Sequence, residues 1–468
     1  MIKRTKKILT SSIFKTLLRL AFPIIIANLL QSTYHLTDSF WLGRLGASAL
    51  AAVSIASPII YFTFTLGLGF AVAGSTFVAQ YFGAKNQKML SHAAAQTILM
   101  IIITSFLFSI IGYIFAPQIL TLMGANQEIF ADALSFVRIS FLAIIFNFTF
   151  FIFQAIMRAI SRPKLPVVIV TLTVLLNFFL DPLFIFGWKS IPAFGVKGAV
   201  FATISTQSLA SLIAIIILFS GKHGIHLKLK NFIPDLSFIK RAFLVGLPSS
   251  IGHSSRNLAM VFMASIVASF GTIAVASYGA ASNIIQLPIF VGLALATANA
   301  TLVGQNLGAR NIPQAIRVSK LSAALSSAII LSLSVVTFIF AKHFISFFIP
   351  SDPQVIAQGT TILRIISPTF AFMALQMSFG HVFVAAGQTQ VTMFLNIISQ
   401  WLIQIPFAFF LSRHTQLASN GIWFAMVIAN VITAIIAFLL YKKGSWQKSK
   451  IINEDEIKTE LSEENLVD

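Results

Sequence analysis

The sequence contains no cysteine, so it offers neither a disulfide framework nor a thiolate metal site. Charged residues make up only 10% of the chain, and acidic residues are scarcer than basic ones, with 13 among 468 residues. No glycine-rich phosphate loop, HExxH motif or GxSxG motif is present. These absences argue against an enzyme, and they predict that the protein has no cofactor and that any transport uses an ion gradient.

The chain is rich in long apolar runs instead of charged residues. Hydrophobic residues make up 57% of the chain, and the mean hydropathy is +0.90. Apolar runs of about 18 or more residues recur along the whole length, which is the signal of membrane-spanning helices. The predicted fold class is therefore an all-α integral membrane protein with twelve transmembrane helices, near residues 20–42, 49–80, 92–115, 133–157, 166–187, 198–220, 242–270, 275–305, 321–341, 359–384, 391–411 and 421–441.

The basic residues alternate with these spans. The net charge is +19, and 7 of the 13 acidic residues lie in the last 15 positions. A strongly basic chain can indicate nucleic-acid binding. Here, however, the loops on the side of the N-terminus hold 24 Lys or Arg residues, against 5 on the opposite side. This bias favours a multi-pass inner-membrane protein with both termini in the cytoplasm, and no nucleic-acid partner is expected.

The chain repeats itself at an offset of about 225 residues. Residues 78–86 match residues 303–311 around a Gly-Ala-Lys/Arg-Asn loop, and Pro23 maps onto Pro248. The repeat predicts two six-helix bundles related by pseudo-two-fold symmetry along the membrane normal, an architecture typical of carriers. We expect a monomer. The predicted domains are 1–225, an N-terminal six-helix lobe, 226–445, a C-terminal six-helix lobe, and 446–468, a polar acidic cytoplasmic tail.

Two acidic residues, Asp38 and Asp181, lie well inside apolar spans. A carboxylate at mid-bilayer depth costs about 2.5–3.5 kcal/mol on insertion scales, so such residues are functional candidates. Binding a proton removes this cost. Pro182 follows Asp181 directly, and because proline lacks an N–H it should kink span 5 beside the acid. The alternative is that both acids only hold helices together through hydrogen bonds.

Polar side chains recur at helical spacing around both acids. Since unpaired polar groups are costly in hydrocarbon, their shared faces should line a cavity in the first half. Each hydroxyl or amide alone is more often a contact between helices, and a histidine here either relays protons or is simply packed. The candidates are Asn28, Gln31, Tyr34 and His35 in span 1, Gln154 in span 4, Thr173 and Asn177 in span 5, and Thr203, Thr206 and Gln207 in span 6.

The second half keeps the repeat without the acids. Asp181 falls near Pro406, where there is no acidic residue. We therefore expect that only the first half titrates, and that the second half supplies packing, cavity wall and gating. The equivalent positions in span 7 are Met263 for Asp38, Met260 for His35, Arg256 for Gln31 and His253 for Asn28.

Together these features resemble the multidrug and toxic compound extrusion (MATE) family of secondary antiporters, over roughly residues 15–445. The resemblance implies two six-helix bundles and export of cationic or amphipathic compounds, in exchange for H⁺ or Na⁺, by alternating access. It rests on Pro23 and residues 37–46 in span 1, on the two Gly-Ala-Lys/Arg-Asn loops, and on Asn177, Asp181 and Pro182 in span 5.

In the DinF-like branch of this family, acids of spans 1 and 5 couple transport to ions, and a proline of span 1 permits bending. The lack of acids in the second half favours this branch over the NorM-like one. By resemblance, the cation-coupling residues are Asp38, Asp181, Asn177, Tyr34 and Thr203. A Na⁺ ion would bind at Asp38, Asn177, Asp181 and Thr203, and no other metal is expected. The substrate cavity would contain Gln31, His35, Thr173, Gln207 and Gln154, and the helix bends would lie at Pro23 and Pro182.

Two other functions stay open from the sequence. A lipid or glycan-precursor flippase has a similar architecture. Its central cavity, however, would be expected to carry more charge than the two acids found here. A membrane-embedded transferase needs a base and a nucleophile near a water-exposed edge, and His92 or His253 with neighbouring serines would be the candidates. Ion-driven dye efflux favours the exporter, whereas a covalent product would indicate the transferase.

The asymmetry between the halves is directly testable. Asp38→Asn should abolish gradient-driven efflux, because it removes a titrating group from the half that has them. Met263→Asn, at the equivalent position of the second half, should have a mild effect. The measurement is dye efflux at equal expression, and equal damage by the two substitutions would contradict the asymmetric interpretation.

Overall fold

The structure is a computed structural model that describes residues 12–448 and residue 451. The predicted tail 446–468 lies mostly outside the described residues, as does the side chain of His35. Apart from an isolated bridge between Trp188 and Ile191, the regular structure of the described residues is helical. The α-helices are α1 Ile13–Leu45, α2 Ala47–Gly83, α3 Gln87–Leu122, α4 Gln127–Ala159, α5 Lys164–Phe186, α6 Val196–Phe219, α7 Leu236–Ala268, α8 Thr272–Gly308, α9 Ile312–Ile339, α10 Ala341–Phe348, α11 Pro353–Ile366, α12 Phe370–Ala385, α13 Thr389–Ile397, α14 Ile405–His414 and α15 Asn420–Lys443.

These helices confirm the predicted fold class. With α11–α12 and α13–α14 each taken as one span, the described chain contains twelve spans in two successive sets of six. Eleven of them are long and apolar enough to cross a membrane by length and composition. The twelfth is α7, which has 33 residues but includes the polar stretch 249–257. Because polar side chains are costly in lipid, this stretch must face protein or water.

Two spans of the second half are interrupted, where the sequence analysis expected continuous helices. A 3-10 turn, Ser367–Thr369, joins α11 to α12. It contains Pro368, which lacks the N–H that an α-helix requires. A π-helical segment, Ile398–Gln404, joins α13 to α14 and is followed by Pro406. The proline ring displaces the carbonyl one turn earlier, which widens the helix at this point. The short helix α10 was not predicted.

The described chain forms two compact units. The first contains Pro23–Val78 and Asn86–Ser250, and the second contains the described residues before Pro23, Ala79–Lys85 and the described residues from Ile251 onward. Three helices therefore change unit along their length: α1, α2 and α7.

Helix α1 changes unit at Pro23. Its first turns bury Leu17 and Leu20 in the core of the second unit, in the same cluster as Leu302 of α8. Near its end, Leu42 is fully buried in a core cluster of the first unit. Because Pro23 lacks an N–H, α1 is missing one backbone hydrogen bond at the point where its packing partners change.

Repeat-equivalent glycines let α2 and α8 approach closely within the second unit. Gly83 lies against the backbone carbonyl of Gln305, and Gly308 lies against that of Gln80. A Cβ atom at either glycine would overlap backbone, which cannot rotate aside as a side chain can. Gln80 also donates from Nε2 to the carbonyl of Ala385 at 2.8 Å. The repeated sequence around the two loops thus produces a reciprocal contact between the two helices.

The linker between α6 and α7 is held against α3. Gln96 of α3 donates from Nε2 to the Asn231 carbonyl at 2.8 Å, and its Oε1 accepts from the Asp235 N–H at 3.1 Å. His92 Nε2 lies 3.0 Å from Asp235 Oδ2. Burial alone would raise the pKa of Asp235, but hydrogen bonds from the Phe238 N–H and from His92 hold this pKa below its ordinary value. His92 therefore has a structural partner here.

Replacing Gly308 tests the reciprocal contact. Gly308→Ala should destabilise the protein by about 1–3 kcal/mol, because the added methyl group overpacks a backbone contact. The matched control is Gly279→Ala in the same helix, where a Cβ meets no atom within 4 Å. Alanine favours helix by about 1 kcal/mol over glycine, so the control should be neutral or stabilising. Thermal unfolding in detergent measures both variants, and equal unfolding midpoints would contradict the close contact.

Candidate functional site

Asp38 of α1 and Asp181 of α5 meet in the interior of the first unit. Asp181 is fully buried and Asp38 is half-buried, and the two carboxyl groups are near enough to interact directly. Asn177 lies one helical turn before Asp181, and its Nδ2 donates to Asp181 Oδ1 at 3.0 Å. The structure thus brings together three residues that the sequence assigned to one site.

Tyr34 approaches the two acids from α1. It is buried, and its hydroxyl faces Thr173 of α5 and Thr206 of α6 within the electrostatic field of both carboxyl groups. Thr206 is also buried, and its hydroxyl donates to the carbonyl of Thr203 at 2.9 Å. Of the two span-6 threonines, Thr206 is therefore the one whose side chain faces Tyr34. The role of Thr203 in ion coupling stays a prediction.

Several buried acceptor atoms of this site have no donor among the described residues. They are Asp38 Oδ1, Asp181 Oδ2 and Asn177 Oδ1, and the hydroxyl of Tyr34 also lacks a hydrogen-bond partner there. Buried acceptors without donors are costly. Carboxylate and amide oxygens suit a proton or a hard cation that prefers oxygen ligands. These acceptor oxygens therefore suit a proton or a Na⁺ ion.

Aromatic packing holds α1 against α5 beside the acids. Trp41 lies one turn after Asp38, and its ring contacts Phe178 at 5.7 Å and Phe186 at 6.3 Å between centroids. The guanidinium of Arg44 lies 4.2 Å from the centroid of Phe40. The two contacts of Trp41 join α1 to α5 and favour the register in which Asp38 lies near Asp181, whereas the contact between Arg44 and Phe40 lies within α1.

Tyr61 of α2 is a site residue that the sequence analysis missed. It lies within the electrostatic field of Asp38, although 47% of its side chain is exposed. Two signals in the sequence could have identified it. Tyr61 lies at helical spacing with Ser54, Ser57 and Thr65. Tyrosine is also rare in this chain, with 6 tyrosines against 47 phenylalanines, and two of the six lie within the electrostatic field of Asp38.

Among the other predicted cavity residues, Thr173 is the one that the structure connects to the site. Thr173 faces Tyr34, whereas Gln154 of α4 and Gln207 of α6 are buried without a hydrogen bond to either acid. Gln31 is exposed on α1. The side chain of His35 is outside the described part. Their roles in substrate binding stay predictions.

The second unit has no counterpart of the carboxyl pair among its described residues. Met263, at the position equivalent to Asp38, is buried in an apolar cluster with Val267. Asp352 is the acidic residue described in this unit, and it caps α11 by accepting from two backbone N–H groups. No group of three or more His, Cys, Asp or Glu suited to a metal ion occurs in the part of the chain that the structure describes.

A family model named MatE matches this chain twice, over residues 23–183 and 248–410, which is more than half of its length. The chain belongs to the MATE family. The two matches begin at Pro23 and Pro248, the prolines that the internal repeat pairs with one another. The first match contains both carboxyl groups of the site, and the second contains none of the described site residues.

Sequence relatives and solved structures match nearly the whole of this chain. "Probable multidrug resistance protein YpnP" of Bacillus subtilis (strain 168) is 27% identical over 95% of this chain and 98% of its own. A solved structure described as the outward-facing conformation of a multidrug resistance MATE family transporter is 26% identical, with a TM-score of 0.87 over 94% of this chain and 98% of that one. A MATE structure in the bent conformation is 25% identical, with a TM-score of 0.88 over 94% and 97%.

The two span-6 threonines can be separated by experiment. Thr206→Val keeps the side-chain volume but removes the hydroxyl that faces Tyr34, so efflux should fall several-fold. Thr203→Val should have a smaller effect, because it keeps the backbone carbonyl of residue 203, which accepts the hydrogen bond from the Thr206 hydroxyl. Initial rates of dye efflux, normalised to membrane protein level, measure the difference. A larger loss for Thr203→Val would assign the coupling role to Thr203.

Proposed function

We propose that this protein is a secondary antiporter that exports cationic or amphipathic drugs and toxic compounds in exchange for H⁺, with Na⁺ as the alternative ion. The observation that carries the proposal is the buried carboxyl pair, Asp38 and Asp181, whose unpaired acceptor atoms fit a proton or Na⁺. Membership of the MATE family and the name of the relative from Bacillus subtilis support the substrate class.

Neutralisation of charge supplies the coupling. With the pair negatively charged, the interior of the first unit attracts a cationic substrate. Each proton or Na⁺ that enters from outside removes one unit of this negative charge, so the attraction weakens and the substrate is released outward. Loss of the ion toward the cytoplasm restores the attraction. Each charge that enters across 100 mV supplies about 2.3 kcal/mol, but a monovalent cation that leaves costs the same amount. One-for-one exchange therefore runs on the concentration gradient of the ion, and exchange of more than one ion per cation also uses the membrane potential.

The conformational change takes place in helix α1. It bears Asp38 and Tyr34, and Pro23 removes one of its backbone hydrogen bonds. Bending at Pro23 therefore disrupts less hydrogen bonding than bending elsewhere in α1, and the similar structure described as bent supports this role. Pro182 similarly lies within α5, one residue after Asp181. Ion binding and helix bending thus occur on the same two elements.

The finer assignments follow from the charges. The DinF-like branch is favoured because both interior acids lie in the first half. An inner-membrane location with both termini in the cytoplasm is favoured by the excess of Lys and Arg in the loops on the N-terminal side, 24 against 5. We propose that the functional unit is a monomer.

Efflux from proteoliposomes identifies the driving ion. Purified protein should export ethidium when a pH gradient is imposed, and a Na⁺ gradient alone should drive it only if Na⁺ replaces the proton. Asp181→Asn should abolish gradient-driven efflux, because it removes the charge that the ion neutralises. Asp132→Asn should leave efflux unchanged, since this exposed acid lies in the same half outside the site.

Two results would overturn the proposal. Efflux that is equally fast in wild type and in Asp181→Asn would separate transport from the carboxyl pair. If neither a pH gradient nor a Na⁺ gradient drives export of ethidium, and a labelled lipid moves between leaflets, the flippase is favoured.

A further inference from the structure

The polar stretch of α7 is not used by the carboxyl site. His253 and Arg256 lie one helical turn apart near the middle of this 33-residue helix, and both are half-buried in the second unit. They are the repeat equivalents of Asn28 and Gln31. A charged side chain at this depth of a span is costly and usually marks a ligand pathway.

A third basic side chain comes from α12. His381 is half-buried, and His253 lies within the electrostatic field of both His381 and Arg256. His381 Nδ1 lies 2.8 Å from the Met377 carbonyl, so the hydrogen on that ring nitrogen is used within the helix. Nε2 of His381 is then the ring nitrogen that remains for another partner. We refer to His253, Arg256 and His381 as the basic cluster.

The basic cluster has no acidic partner among the described residues. Neither the guanidinium of Arg256 nor the ring of His253 hydrogen-bonds to a described residue, and Arg256 forms no ion pair there. The acidic residue described in the second unit, Asp352, is used in capping α11. Buried charges in proteins are normally paired, so an unpaired arginine here requires a compensating anion or an aqueous path.

Aromatic side chains lie next to the cluster. Trp401, in the π-helical segment, donates from Nε1 to Ser255 Oγ at 2.8 Å, which places its indole beside the residue that precedes Arg256. Its ring contacts Phe262 at 5.2 Å between centroids. Single-turn π-helical segments are frequent at functional sites. The surroundings of the cluster therefore combine a guanidinium with flat aromatic surface.

We propose that the basic cluster binds the carboxylate of an aromatic amphiphile, so that the exporter also accepts compounds bearing an acidic group. A guanidinium binds a carboxylate with two parallel hydrogen bonds, and one ring N–H of His253 supplies a further donor, whereas Nε2 of His381 donates only when that ring is protonated. The indole of Trp401 provides a face on which an aromatic ring can stack. Transport of such compounds rests on the proposed function, whereas their binding does not.

Two dyes that differ in one functional group test this site. Rhodamine B carries a free carboxylate, and its ethyl ester has the same ring system without that charge. Fluorescence anisotropy with purified wild-type protein in detergent gives both dissociation constants without a gradient. Arg256→Gln should weaken rhodamine B binding by about tenfold or more and change binding of the ester less than about twofold.

The controls separate charge from folding. Arg256→Lys keeps the positive charge and should retain a large part of rhodamine B binding. Arg364→Gln removes an exposed arginine of the same unit, whose guanidinium lies over Phe338, and should alter neither dye. In the wild type, 1-naphthoate should displace rhodamine B but not the ester, a result that needs no variant.

Each result decides the proposal. Selective loss of rhodamine B in Arg256→Gln, with displacement by 1-naphthoate, supports the carboxylate site. Equal effects on both dyes, or wild-type binding of the ester without rhodamine B, would overturn it. If binding follows the expected pattern while neither gradient drives efflux, the proposed antiport fails and the carboxylate site stands.

Discussion

Asp38 and Asp181 place two like charges in the interior of an apolar unit, and no basic residue is hydrogen-bonded to either of them in the described chain. Two carboxylates so close to one another repel unless a proton or a cation lies between them. Asn177 satisfies one oxygen of Asp181, and the remaining acceptors are the atoms that the proposed coupling ion would contact. Under the proposed function, the electrostatic state of the unit depends on whether that ion is bound.

Helix α1 links this electrostatic state to the packing of the chain. It contributes Asp38 and Tyr34 to the site, and Trp41 packs it against Phe178 of α5. Its first turns are buried in a core cluster of the second unit. A change in attraction or repulsion at Asp38 thus acts on a helix that is anchored at both ends and that lacks a hydrogen bond at Pro23.

The parts of the site that were predictable are those that local chemistry determines. Asp38 and Asp181 stood out because a carboxylate in an apolar span is costly, and Asn177 because helical spacing places it one turn from Asp181. The twelve spans followed from apolar runs of sufficient length. Packing between helices decided the rest: whether Thr203 or Thr206 faces Tyr34, and that Tyr61 of α2 lies within the electrostatic field of Asp38. The π-helical segment that joins α13 to α14 was not predicted either.

The two halves share a repeat but differ in interior charge, and this difference has a consequence for selectivity. An ion that neutralises the acids of the first unit removes the attraction for a cationic group, but it leaves the charge of Arg256 in the second unit unchanged. Ion binding would not promote the release of a compound that is held only through its carboxylate. Coupling therefore requires a cationic group on the substrate. Under the two proposals, a carboxylate on the substrate raises its affinity whether or not the ion is bound to the acids of the first unit. Zwitterions are then bound better than simple cations at low concentration, but they are released more slowly when the ion gradient is large.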